Sequence, residues 1–114
     1  VLRVERALGN NPTEMHHNNP GYDIESDTGS SLDFIEVKGR ISEGRTFVLT
    51  RQEAVTALNK ADHSVLALVR VADDDTTTVR YLRHPIDQPI DPRAARVEYD
   101  WEPFWSDATE MSER

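Results

Sequence analysis

The 114-residue sequence predicts an α/β fold, a mixed central β-sheet flanked by helices. Three observations predict it. The chain opens on apolar residues at helical spacing, two strand-like runs joined by a Thr-Gly-Ser-Ser turn follow, and a helix with a marked start then leads into the near-continuous apolar strand HSVLALVRV. At this length, with 37% hydrophobic residues, the chain supports one core and one domain over residues 1–114.

In the first segment Val1, Val4 and Leu8 keep helical spacing, and Gly9 supplies a stop. Glu5 follows Val4 and precedes Leu8 by three, at the edge of the apolar stripe, so its carboxylate points inward. The run NNPTEMHHNNPG is aperiodic and rich in Asn and Pro, and reads as an ordered loop. Neighbours on an extended chain point to opposite sides, so His16 and His17 are read as structural or solvent-facing residues, not as ligands to one ion.

Residues 21–27 and 32–38 are the two strands of the hairpin. Alternation sends Ile35 and Val37 to one face and Phe34, Glu36 and Lys38 to the other, while Asp23 shares a face with Glu25. Asp23 and Glu36 therefore meet at one edge of the sheet. TFVLT, residues 46–50, is a third strand, and Thr50 with Glu53 forms a capping box for a helix whose apolar face holds Ala54, Val55, Leu58 and Ala61. HSVLALVRV is a strand buried on both faces, paired with TTTVRYLRH across the Asp73-Asp74-Asp75 turn. Residues 84–114 are a Pro-rich extension in which PIDQPIDP breaks regular structure, RVEYD is a short strand, and Trp101, Phe104 and Trp105 tie the end to the core.

Composition narrows the function classes. Without cysteine there is no disulfide framework, thiolate metal site or cysteine nucleophile, which fits a reducing, cytoplasmic setting. No apolar run approaches a membrane span, so a soluble protein is expected. The formal charge of −8 argues against a freestanding nucleic-acid binder, yet residues 38–60 gather Lys38, Arg40, Arg45, Arg51 and Lys60 against Glu43 and Glu53. The chain starts at Val1 inside a helical pattern, and the expectation is a piece of a larger parent protein.

Two carboxylates converging beside an ammonium suit phosphodiester hydrolysis with Mg²⁺, for which Mn²⁺ can substitute. Asp23 and Glu36 would hold the ion with the backbone carbonyl of Val37 and waters, and Lys38 would orient water or neutralise charge in the transition state. The plainer alternative is a solvent-facing row on an edge strand, closed by a salt bridge.

These residues carry a resemblance. Asp23, then Glu36-Val37-Lys38 on the next strand, resembles the PD-(D/E)xK nuclease superfamily, whose restriction-endonuclease-like core runs αβββαβ. NNPGYDIES, FIEVKGR, FVLTRQEAVTALNK and HSVLALVRV, in that order, are similar to the NO VEIN C-terminal domain branch of that superfamily. The first acid follows Gly21-Tyr22 instead of a proline. The resemblance implies a Mg²⁺-dependent nuclease-type domain at the end of a helicase-like, restriction or phage-defence protein, with DNA favoured over RNA. It implies Asp23 and Glu36 as metal-binding acids, Lys38 as catalytic lysine and Glu5 as the first-helix acid. Gln52 stands where a polar residue faces the site, helix-start solvation being the plainer reading, and Arg40, Arg45 and Arg51 are candidates for backbone phosphates.

Two function classes stay in play: a metal-dependent nuclease, favoured by the acid-acid-lysine set, and a recognition module on the same fold, favoured by the net charge. A homodimer and DNA or a parent helicase are the partners considered.

Overall fold

The structure, a computed structural model, describes residues 1–19, 21–41 and 44–113. Among them, six strands form one mixed sheet: β1 (Asn11–Glu14), β2 (Ile24–Asp27), β3 (Leu32–Ile41), β5 (Ser64–Val71), β6 (Thr77–Arg83) and β8 (Thr109–Met111) lie side by side in that order. All neighbours are antiparallel except β3 and β5, which run parallel from Phe34 opposite Ser64 to Ile41 opposite Val71. That parallel pair needs a crossover. The crossover is β4 (Thr46–Thr50), helix α2 (Arg51–Lys60) and a 3₁₀ turn (Ala61–His63). The arrangement is the mixed central sheet flanked by helices expected from the element order.

Each face of the sheet has its own core. Helix α1 (Leu2–Ala7) covers the face built from Ile24, Ile35, Val65, Ala67, Val79 and Tyr81, into which it sends Val4. The other face presents Leu66 and Leu68 to Ala54 and Ala57 of α2, to Phe47 and Leu49 of β4, and to Trp101 and Trp105. β5 feeds both cores in alternation, with Val65, Leu66, Ala67 and Leu68 all within 1% of full burial.

Four details depart from the sequence reading. The Asn- and Pro-rich run is not all loop, because Asn11–Glu14 adds an edge strand to β2. A proline at an edge costs no ladder bond when its missing N–H faces outward, so Pro12 is tolerated there. The first hairpin strand is shorter than expected and begins at Ile24. β4 does not join the main sheet. It pairs with β7 (Arg96–Asp100) as a separate two-stranded ribbon that packs Phe47 and Leu49 against the core. Finally, WEPFW is a helix, α3 (Trp101–Asp107), followed by β8. Pro103 sits in its first turn, where backbone N–H groups have no intrahelical partner.

Candidate active site

The site begins where β2 stops pairing with β3. Ile24 still lies opposite Ile35, but the next step back is irregular, and the Asp23 N–H donates to the Ile35 carbonyl at 2.9 Å. The Asp23 side chain then takes the following rung, its Oδ2 accepting from the Val37 N–H at 2.8 Å. A strand residue turns its N–H and C=O to the same side, so the Val37 carbonyl also points toward the gap that Asp23 borders. The backbone of this corner is pinned by the Met15 N–H on the Asp23 carbonyl and the Asn19 side chain on the Tyr22 carbonyl, both at 2.8 Å. Gly21 passes so close to α2 that an added Cβ would lie 2.8 Å from Thr56 Oγ1.

Glu36 and Lys38 project from β3 toward α2, as alternation requires. Glu36 is 9% exposed. The Lys38 ammonium lies 3.4 Å from Glu36 Oε2 and 3.2 Å from Oε1 of Glu53. Glu53 is held by the helix cap: its Oε1 accepts from the Thr50 N–H at 2.9 Å while its own N–H donates to Thr50 Oγ1 at 3.1 Å. The capping box read from the sequence thus also delivers a carboxylate to the site.

Burial, the bond to Glu53 and the charges of Glu53 and Asp23 push the Glu36 carboxyl up to about 9, with Lys38 opposing. Burial alone would raise Glu53 too, but hydrogen bonds from Glu36 and Thr50 and the Lys38 charge bring it below the usual carboxylate range. The two shifts run in opposite directions and favour the protonated form at Glu36 and the ionised form at Glu53. Glu36 Oε1 is buried without a hydrogen-bond partner among the described residues, an acceptor turned inward with nothing to accept. Among the described residues no group of three or more His, Cys, Asp or Glu side chains is arranged to hold a metal ion.

The other expected residues lie apart. Glu5 is 1% exposed, as its inward spacing predicted, but it sits on the α1 face, where Tyr81 donates to its Oε2 at 2.8 Å and Asn10 to its Oε1 at 3.0 Å. Glu36 is on the opposite face, and the sheet stands between them. Arg40 continues the Glu36–Lys38 row, but its guanidinium turns to α3, 5.5 Å from the Trp101 ring and 3.3 Å from Glu102 Oε1. Arg45 is exposed beside a hollow shared with Arg40, Asp100, Glu102 and Pro103. The Arg51 side chain donates to the Pro92 carbonyl, and its N–H to that of Ala95. Gln52 is exposed at the head of α2; its neighbour Glu53 is the residue that faces the site. The histidines His16 and His17 are exposed and stack on each other with ring centroids 4.5 Å apart. No helix among the described residues is long and apolar enough to cross a membrane.

Comparison with known proteins agrees with this architecture. The sequence model of a family described as "Protein NO VEIN, C-terminal" matches residues 1–82. No curated protein matches the sequence. Among solved structures, Hjc from Archaeoglobus fulgidus, a Holliday junction resolvase from an archaeal hyperthermophile, superposes with a TM-score of 0.60 at 15% identity. The match covers 96% of this chain and 91% of the resolvase.

Proposed function

This chain belongs to the NO VEIN C-terminal family, and we propose that it is a nuclease domain that hydrolyses DNA phosphodiester bonds with Mg²⁺ as its ion and Mn²⁺ as a substitute. Glu36 carries the reading. A buried carboxylate with one unpartnered oxygen, next to the Asp23 corner and the Val37 carbonyl, fits a hard cation that takes few protein oxygens and keeps several waters. Asp23, Glu36 and the Val37 carbonyl would hold the ion. Bound there, it supplies Lewis-acid polarisation of phosphoryl oxygen and a lowered water pKa.

The chain's own residues do the rest. The Lys38 ammonium, 3.4 Å from Glu36, would stabilise negative charge on the phosphoryl oxygens as water attacks in line. One P–O bond forms to water, which gives up a proton to the medium, while the P–O bond to the leaving sugar oxygen breaks and that oxygen takes a proton from the medium. Arg40 and Arg45, beside one hollow, are the arginines of the expected set best placed for a flanking phosphate, whereas Arg51 is engaged with the loop before β7 and Gln52 faces solvent. Glu5, across the sheet, belongs in this reading to the support of the fold.

The resolvase's name makes a four-way DNA junction a substrate to test alongside duplex and single strands. A larger restriction, phage-defence or helicase-associated parent in the cytoplasm would provide the wider grip on DNA that a chain of net charge −8 lacks, and pairing as a homodimer belongs to the same proposal. A second reading, a catalytically weak recognition module, is favoured by the surroundings of Glu36: burial beside Glu53 and Asp23 favours its protonated form, which competes with any ion.

Mn²⁺ calorimetry on the wild type, Asp23→Asn and Glu36→Ala, followed by incubation with plasmid, single-stranded and four-way DNA, tests the proposal. The expected outcome is metal binding and cleavage by the wild type, each lost in both variants. A wild type that binds no metal overturns the nuclease reading in favour of the recognition module.

A further inference from the structure

The Lys38 ammonium has two carboxyl neighbours, and only one of them, Glu36, belongs to the proposed metal site. We propose that Glu53 is a positioning residue, a carboxylate delivered by the cap of α2 that holds Lys38 at the reacting centre. This rests on the nuclease reading for its purpose and on the observed contacts for its geometry.

A dication held by Asp23 and Glu36 would leave Lys38 beside a charge of its own sign and draw Glu36 away from it. With Asp23 and Glu36 alone, a dication and an ammonium leave one formal positive charge in excess. Glu53 brings the sum to zero, and the 3.2 Å contact with the Lys38 ammonium is the one that metal binding leaves in place. Glu53 is also rigid, because the oxygen that meets Lys38 accepts the Thr50 N–H at 2.9 Å. A residue fixed by main chain on one side and aimed at a flexible lysine on the other converts four rotatable bonds into one placement.

Glu53→Gln tests this, since glutamine still serves in a capping box but carries no charge. Thr50→Ala is the control: it weakens the cap and leaves the Glu53 charge. The readout independent of activity is the rate at which the Lys38 amine is acylated by an N-hydroxysuccinimide ester, followed by mass spectrometry with and without Mn²⁺. In Glu53→Gln that rate rises about fivefold, the loss of one charge-assisted bond, and in Thr50→Ala, which keeps the main-chain N–H on the Glu53 oxygen, it rises by less than half as much. For cleavage, Glu53→Gln lowers kcat about tenfold with KM unchanged, and Glu53→Asp recovers part of the loss. Equal acylation of Lys38 in Glu53→Gln and wild type overturns the proposal, as does an equal effect of Thr50→Ala. A wild type that cleaves nothing while Glu53→Gln still exposes Lys38 overturns the nuclease reading and leaves the positioning of Lys38 standing.

Discussion

At the scale of single residues, the site's character comes from where each carboxylate finds its partner. Asp23 takes a main-chain N–H, Glu53 a helix cap and a lysine, Glu5 a tyrosine hydroxyl on the far face, and Glu36 is favoured in its protonated form. That shift has a consequence for stability without metal. In the unfolded chain Glu36 ionises near its ordinary 4.5, whereas in the fold burial and the neighbouring Glu53 and Asp23, with Lys38 opposing, push it up to about 9. Between those values the folded chain binds the extra proton, so the stability it contributes is present below the unfolded value and is lost as pH rises toward 9. Glu36→Gln escapes the loss. In chelator-containing buffer it is expected to melt about 5 °C above the wild type at pH 8, with the difference closing at pH 4.5. A wild type that melts higher at pH 8 would show that the site does not hold the proton. The sequence placed Glu36 and Lys38 on one face of β3 by alternation alone. It did not single out Glu53, whose capping role was legible but whose approach to Lys38 depends on the packing of α2 on β4 and β5.

At the scale of elements, the corner before β2 is the critical piece. Asp23 can reach the Val37 N–H because the strand breaks its register one residue early, and the break is held by contacts to Met15, Asn19 and α2. Gly21 is required by close approach: its position leaves no room for a Cβ next to Thr56, whose Oγ1 and Cγ2 would lie 2.8 and 3.2 Å away. Gly21→Ala is therefore expected to destabilise the fold by about 1 kcal/mol through local overpacking, read as a lower denaturation midpoint, and Thr56→Ser should recover part of it. An unchanged midpoint would mean that the corner does not depend on this approach. Val65 to Leu68 made β5 legible as a doubly buried strand, and the capping box marked the start of α2. β1 and β8 escaped notice because edge strands bury little and so carry no apolar alternation.

At the scale of the whole molecule, the C-terminal third is part of the core. The family match ends at residue 82, yet Ile86, Trp101 and Trp105 fill the same cluster as Phe47, Leu49, Leu66 and Leu68, and β7 is the partner of β4. Trp101 is fully buried, with its ring 6.1 Å from Phe47 and 5.6 Å from Trp105. A chain cut after residue 84 would expose that face of the sheet and leave β4 unpaired. It is expected to lose cooperative thermal unfolding and to bind a hydrophobic dye, as measured by circular dichroism and dye fluorescence. Native-like cooperative melting of the shortened chain would place the core in residues 1–84 alone. Because α2 rests on the same cluster, the positions of Glu53 and Lys38 depend on tryptophans far from them in sequence.

The sequence by itself determined the fold class, the order of the main strands and helices, and the sharing of one face of β3 by Glu36 and Lys38, because these follow from local periodicity, turn chemistry and alternation within a few residues. The tertiary structure decided what lies across each face: Glu5 opposite Tyr81, Glu53 against Lys38, β4 on β7 instead of in the main sheet, and the tryptophans in one cluster with Ala54 and Ala57 of α2. Each of those pairings joins segments distant along the chain. Which of them form is settled by the packing of two cores on opposite faces of one sheet, and no local pattern encodes that choice.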